Sequence, residues 1–184
     1  MASFVSRAGL KLDHALTEFN VDVTGLICAD FGCNTGGFVD CLLSRGAAKV
    51  FAIDTGYGVL DWKLRNDPRV VVMERTNAMH VKLAEKVDLI SIDVAWTRQK
   101  NILPSAIANL KPTGTIVTLI KPHYQAAANQ LRKGILLLEM MESVLAETAI
   151  EIQSAGLQII NQTKSPITGA KGNIEFLAML RLPG

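Results

Sequence analysis

A chain of 184 residues, 49% of them hydrophobic and 20% charged, carries enough apolar side chain to bury one core, and its composition excludes a disordered or fibrous protein. The formal charge of +2, from 19 basic and 17 acidic side chains, points to no polyanionic partner by itself. No apolar run approaches the roughly 20 residues of a membrane span, "MASFVSRAGLKL" lacks the apolar core of a secretory signal, and three cysteines without C-x-x-C spacing argue against disulfides and structural zinc, so a cytoplasmic chain with no metal is expected.

In chain order, Leu12, Ala15, Leu16 and Phe19 recur at the i, i+3, i+4, i+7 spacing of a helix's core-facing stripe over residues 1–20, with Ser6 placed to cap it and Lys11 at the edge of that stripe. Short apolar runs then read as strands at residues 26–30, 49–54, 69–74, 87–93 and 114–121. Helical segments separate most of them, the first at residues 38–44. Runs this continuous suit strands buried on both faces, and the alternation implies a parallel sheet with right-handed crossovers. A long helix is expected over residues 135–155, stopped by Gly156. After it, "LQIINQTKS" and "NIEFLAMLRL" have only "PITGAKG" between them, too little for a crossover, so these two strands must be antiparallel. The expectation is one α/β domain over residues 1–184, with the sheet and its helices in 26–184.

Between the first strand and the first crossover helix lies "ICADFGCNTGGF". Glycines there let the backbone turn tightly and approach a ligand, and the free N–H groups opening the next helix favour polar or anionic groups. The spacing Gly32-x-x-x-Gly36-Gly37 departs from the G-x-G-x-x-G of dinucleotide sites. Together with the terminal hairpin, this favours a Rossmann-like S-adenosylmethionine-dependent methyltransferase fold over a nicotinamide dehydrogenase, with the loop cradling the methionyl and ribose part of the cofactor.

Ligands of open α/β sheets bind beyond the carboxyl ends of the strands. Asp30, Asp54, Glu74, Asp93 and Lys121 end the five expected strands. Asp54, about 17 residues past the glycine pair, is placed to hold the cofactor ribose, and Asn77 in "RTNAM" to meet the adenine. Glu175 is the odd charge in an apolar strand and needs a partner. Lys11, Lys121, Asp93 and Glu175 would make a charge-balanced cluster, which a low-dielectric site tolerates better than any one member alone.

At these residues the chain resembles the FtsJ-like RNA 2′-O-methyltransferases, most closely their TlyA branch, whose members often carry the name hemolysin. "FVSRAGLKLDHAL", "DFGCNTGGFVDCLLSRGA", "DTGYGVLDWKLRNDPRVVVMERTNA", "LISIDVAW", "LIKP" and "GNIEFL" follow that family's order almost end to end. The resemblance implies a Lys-Asp-Lys-Glu catalytic tetrad at Lys11, Asp93, Lys121 and Glu175. It implies S-adenosylmethionine held by Asp30, Gly32, Cys33, Asn34, Gly36, Gly37 and Phe38 from the first loop, and by Asp54, Thr55, Asn77, Ala78 and Asp93 from the others. The implied partner is RNA, rRNA or a ribosomal subunit foremost, and the implied reaction is methylation of a ribose 2′-hydroxyl. Cys33 and Asn34 stand where the family prefers Ala and Ser, and Ala95 where it prefers Ser. The family's small N-terminal RNA-binding domain is not expected ahead of Phe4. Arg65, Arg69, Arg98, Lys100, Arg132 and Lys133 are the basic residues available to line an RNA groove. The rival reading is a cofactor-binding module that has lost its RNA activity and acts through protein contacts. Pore formation has no amphipathic or spanning segment behind it.

Overall fold

The computed structural model describes residues 4–184. Helix α1 (Ala8–Glu18) precedes β1 (Ile27–Phe31), α2 (Gly37–Ser44), β2 (Lys49–Ile53), the short α3 (Trp62–Arg65), β3 (Val70–Met73), β4 (Val87–Ile92), α4 (Gln99–Asn109) and β5 (Leu110–Ile120). After these come the short α5 (Pro122–Gln125), a two-stranded ribbon of β6 (Leu131–Arg132) and β7 (Ile135–Leu136), α6 (Met141–Ser154), β8 (Gln158–Lys164) and β9 (Phe176–Arg181). The main sheet has seven strands in the order β3-β2-β1-β4-β5-β9-β8. β1 to β5 are parallel, and β9 runs antiparallel to both β5 and β8, which is the expected terminal hairpin.

Successive strand residues serve two different cores, which is why the strands are apolar without alternation. Cys28, Val50, Leu89 and Val117 pack with α1 and α2, while Ala29, Phe31, Ile90 and Ile116 pack with α4 and α6. Leu12, Ala15 and Leu16 are fully buried. At about 1.5–3 kcal/mol for each large apolar side chain buried, Leu12 and Leu16 hold α1 against the sheet, and with it Lys11.

Two local expectations fail. The helix expected over residues 135–155 begins only at Met141, because Lys133 and Gly134 take positive φ (53° and 80°) and close a two-residue turn between β6 and β7. The apolar residues Ile135 and Leu136 therefore belong to the ribbon. Ser6 does not cap α1: Arg7 is the cap residue, no side chain bonds to the free N–H groups, and the Ser6 hydroxyl faces Gly37 of α2. Among the described residues no helix is long and apolar enough to cross a membrane.

Candidate active site

Strand register sets the site. Phe31 is level with Ile53 on β2 and Ile92 on β4, so the next residues, Gly32, Asp54 and Asp93, emerge in one row at the carboxyl end of the sheet. Backbone bonds lock the row: Gly32 N–H donates to the Ile53 carbonyl at 2.9 Å and Asp93 N–H to the Phe31 carbonyl at 3.0 Å. On the other side Ile120 pairs with Phe176, which brings Lys121 beside Glu175 across the β5–β9 pair.

The glycines of the first loop answer three different constraints. At Gly32 (φ +89°) a Cβ would lie 2.5 Å from the Asp93 carbonyl oxygen; at Gly36 (φ +102°) it would strike Leu64 and Leu60; at Gly37 it would press on Gly9 N at 2.8 Å and on Ser6. The last contact lets α1 approach α2 closely, so the Gly37 backbone also sets where Lys11 stands.

Three clefts open along the row. The largest, about 420 Å³, is lined by Gly32, Asn34, Asp54, Thr55, Asn77, Ala78 and Asp93, all named from the sequence. A second, about 240 Å³, takes Asp30, Gly32, Cys33, Asn34, Phe38 and Asp93, and reaches Lys121. The third, about 310 Å³, holds Lys11, Lys121 and Glu175. Asp93 is shared by the first two clefts and Lys121 by the last two. Gly36 and Gly37 line none of them.

Asp54 organises the large cleft: Oδ2 accepts from Asn34 N–H at 2.9 Å and Oδ1 from Gly56 N–H at 2.7 Å, tying the loops after β1 and β2 to one carboxylate. Asn77 Oδ1 accepts from Met79 N–H at 2.9 Å, so its amide NH₂ is the end left for a ligand. Glu74 turns away from the clefts. It pairs with Arg65 at 2.5 Å and accepts from Val59 N–H, which makes it a brace for the loop before α3.

Asp30 is buried. Ser91 Oγ donates to its Oδ1 at 2.7 Å, and Oδ2 has no partner. Burial pushes its carboxyl up to about 8; the Ser91 bond opposes this, and the charges of Asp93 and Asp54 add to it. The folded chain therefore keeps a proton on Asp30 that the unfolded chain releases near the ordinary value of 3.8. Stability contributed by this proton is fully present below that value and is lost as pH rises through about 8. Asp30→Asn is expected to abolish this decline, so that its denaturation midpoint exceeds the wild-type midpoint at roughly pH 9 and not at roughly pH 4. Parallel midpoint shifts in both proteins between those pH values would refute it.

The four charged residues form two ion pairs. Lys11 Nζ meets Glu175 Oε2 at 2.5 Å with side chains 11% and 3% exposed, and Lys121 Nζ meets Asp93 Oδ1 at 2.5 Å with 13% and 19%. Lys121 Nζ also donates to the Val94 carbonyl at 3.1 Å. Gly169 presses against Glu175: a Cβ there would overlap its carboxylate, so the loop before β9 holds this side chain in place.

Sequence reasoning missed several wall residues. Gly169 is one of them, inside "PITGAKG". His123, which no motif marks, is buried in the third cleft with Nδ1 unpartnered, and burial, then the charges of Lys121 and Lys11, hold its imidazole below the usual value. Trp96, at φ +57°, stacks on Tyr124 with ring centroids 4.9 Å apart, a contact with no local signal in the sequence. Of the basic residues considered for a groove, Arg65, Arg69, Arg98 and Lys100 are engaged in ion pairs with Glu74, Asp67 and Glu151. Arg132 and Lys133 are not.

A row of glycine and carboxylates at the carboxyl ends of a sheet in this order suits a cofactor with a ribose, since the Asp54 carboxylate is the group that could meet its hydroxyls. The family model described as FtsJ-like methyltransferase matches residues 4–182. Hemolysin A of Brachyspira hyodysenteriae is 42% identical over 181 residues, covering 95% of this chain and 75% of that protein. The Mycobacterium tuberculosis protein named 16S/23S rRNA (cytidine-2'-O)-methyltransferase TlyA is 40% identical, covering 97% and 69%. A Lactococcus lactis protein whose crystal structure is described as that of a hemolysin superposes with TM-score 0.92 at 37% identity, covering 98% and 89%. With a family model spanning nearly its whole length and relatives at least 40% identical over most of it, the chain belongs to the FtsJ-like methyltransferase family, enzymes whose methyl donor is S-adenosylmethionine.

Proposed function

We propose that this chain methylates a ribose 2′-hydroxyl of ribosomal RNA in the cytoplasm, using Lys11, Asp93, Lys121 and Glu175. The observation that carries the reading is the position of Lys121, ion-paired to Asp93 at 2.5 Å where the second and third clefts meet. When bound, S-adenosylmethionine supplies an electrophilic methyl group on its sulfonium. Asp30, Gly32, Cys33, Asn34 and Phe38 would hold its methionyl end, with Asp54, Thr55, Asn77 and Ala78 around the adenosine. Asp93 spans both parts.

Transfer to a hydroxyl is an in-line displacement in which the oxygen gains the methyl group and loses its proton. The chain must therefore align the oxygen and take the proton. Lys121 stands at the junction where that oxygen would lie, and in its neutral form its amine takes the proton. Asp93 and the Val94 carbonyl aim it. Lys11 and Glu175, buried as a pair, wall the acceptor side and offer the ribose a donor and an acceptor. The complete tetrad favours this reading over a binding module without activity.

Labelled S-adenosylmethionine offered to ribosomal subunits, free rRNA and tRNA tests the proposal. Label is expected in rRNA, in nucleotides whose 3′ linkage resists alkali because the 2′-oxygen is methylated. Label confined to bases, or transferred to none of the three, would overturn it.

A further inference from the structure

Besides Lys11 and Lys121, eight of the 19 lysines and arginines are neutralised locally: Arg45 by Asp13, Lys49 by Glu85, Lys63 by Asp40, Lys111 by Asp88, and Arg65, Arg69, Arg98 and Lys100 by the carboxylates named above. Arg7, Arg132, Lys133 and Lys171 make no ion pair among the described residues, and all four are exposed. They share one place. Arg7 lines the third cleft together with Gly169 and Ala170, and Lys171 is the next residue. The Lys171 ammonium donates to the Lys133 carbonyl at 3.3 Å, so the turn of the β6–β7 ribbon touches the loop before β9. Buried Asn173 fastens this contact. Its Nδ2 donates to the Gly134 and Ala170 carbonyls, both at 3.1 Å, and its Oδ1 accepts from Leu136 N–H at 3.3 Å. Two residues on is Glu175.

These four cations exceed the formal net charge of the whole chain, +2, so the other 15 basic residues are outnumbered by the 17 acidic ones. Of the remaining cations outside ion pairs, Arg75 lies over the Tyr57 ring, Arg181 donates to Thr115, and Lys82, Lys86 and Lys164 are exposed. Like charges gathered without carboxylates repel one another, and a ligand with several separated negative charges relieves that repulsion. Resting on the RNA reading above, we propose that Arg7, Arg132, Lys133 and Lys171 form a phosphate-binding rim that grips the RNA backbone on either side of the acceptor nucleotide, and that Asn173 sets this rim relative to Glu175. The partner class is a single-stranded phosphodiester: contacts of this kind position a strand without reading its bases.

The test is fluorescence anisotropy with a labelled single-stranded oligouridylate across a salt series. Each phosphate contact to a single strand contributes a slope of about −0.7 to log affinity against log salt, so the four predict about −2.8, and Lys133→Gln with Lys171→Gln should bring it to about −1.4. The control is Lys82→Gln with Lys86→Gln, an equal change of charge on exposed lysines before β4, at the opposite end of the sheet. It should leave the slope near −2.8. Equal loss of slope in both double variants, or no loss in the first, would overturn the rim while leaving the RNA reading standing. Failure of the unmodified chain to bind the strand, or a slope near zero, would overturn both. With a methylatable RNA in hand, the rim variant should raise KM and leave kcat nearly unchanged, since a backbone grip is made equally in ground and transition states.

Discussion

Lys121→Ala is expected to lower the rate of methyl transfer by about 10²–10⁴-fold, the range of a lost general base, while S-adenosylmethionine affinity measured by calorimetry stays nearly constant. Lys121 ends β5 and is followed by Pro122, whose ring biases it to the extended backbone seen there, φ −108° and ψ 92°. That geometry carries the amine across the strand ends to Asp93 and the Val94 carbonyl. The interaction lost in the variant belongs to the transition state, so kcat and kcat/KM should fall together. Lys121→Arg should fail as well, because a guanidinium gives up no proton near neutral pH. Substantial activity in Lys121→Arg would instead make the residue an electrostatic clamp on the ribose oxygen, and full activity in Lys121→Ala would remove it from the mechanism.

Glu175→Ala should destabilise the fold by about 3–5 kcal/mol, the usual cost of leaving one member of a buried ion pair behind. Glu175 is 3% exposed on its side chain and Lys11 is 11%, so water does little to solvate the ammonium that remains. For a chain of this size that corresponds to a melting temperature lower by roughly 10 °C. Lys11→Met combined with Glu175→Leu removes both charges while keeping comparable volume, and it should regain most of the loss, since apolar replacement of a whole buried pair is often neutral or favourable. It should nonetheless be inactive. Recovery of stability without recovery of methyl transfer separates what the pair does for the fold from what it does for the acceptor cleft. A Glu175→Ala variant that melts with the wild type would show that Lys11 finds water or another partner.

The sequence by itself determined the parallel sheet, the terminal hairpin and the row of strand-end residues, because these rest on local rules: runs apolar on both faces, the absence of a crossover between "LQIINQTKS" and "NIEFLAMLRL", and side chains that emerge where a strand stops. It also grouped the four charged residues. It did not say how they pair. Lys11 and Glu175 are 164 residues apart, and Lys11 alone reads as a surface lysine at the edge of an apolar stripe; only the docking of α1, which the bare backbone of Gly37 permits, buries it. Glu74 has the same local signature as Asp54 and Asp93, yet Arg65 and the loop before α3 claim it. The helix expected from residue 135 failed for a related reason: Ile135 and Leu136 are apolar enough for either structure, and the positive φ of Lys133 and Gly134 decided for the ribbon, fastened through Asn173 to the Glu175 loop. Periodicity records which face of an element is buried. Which distant element covers that face, and so which charges end in ion pairs and which face solvent at the cleft, depends on register and close backbone approach, and those exist only once the chain has packed.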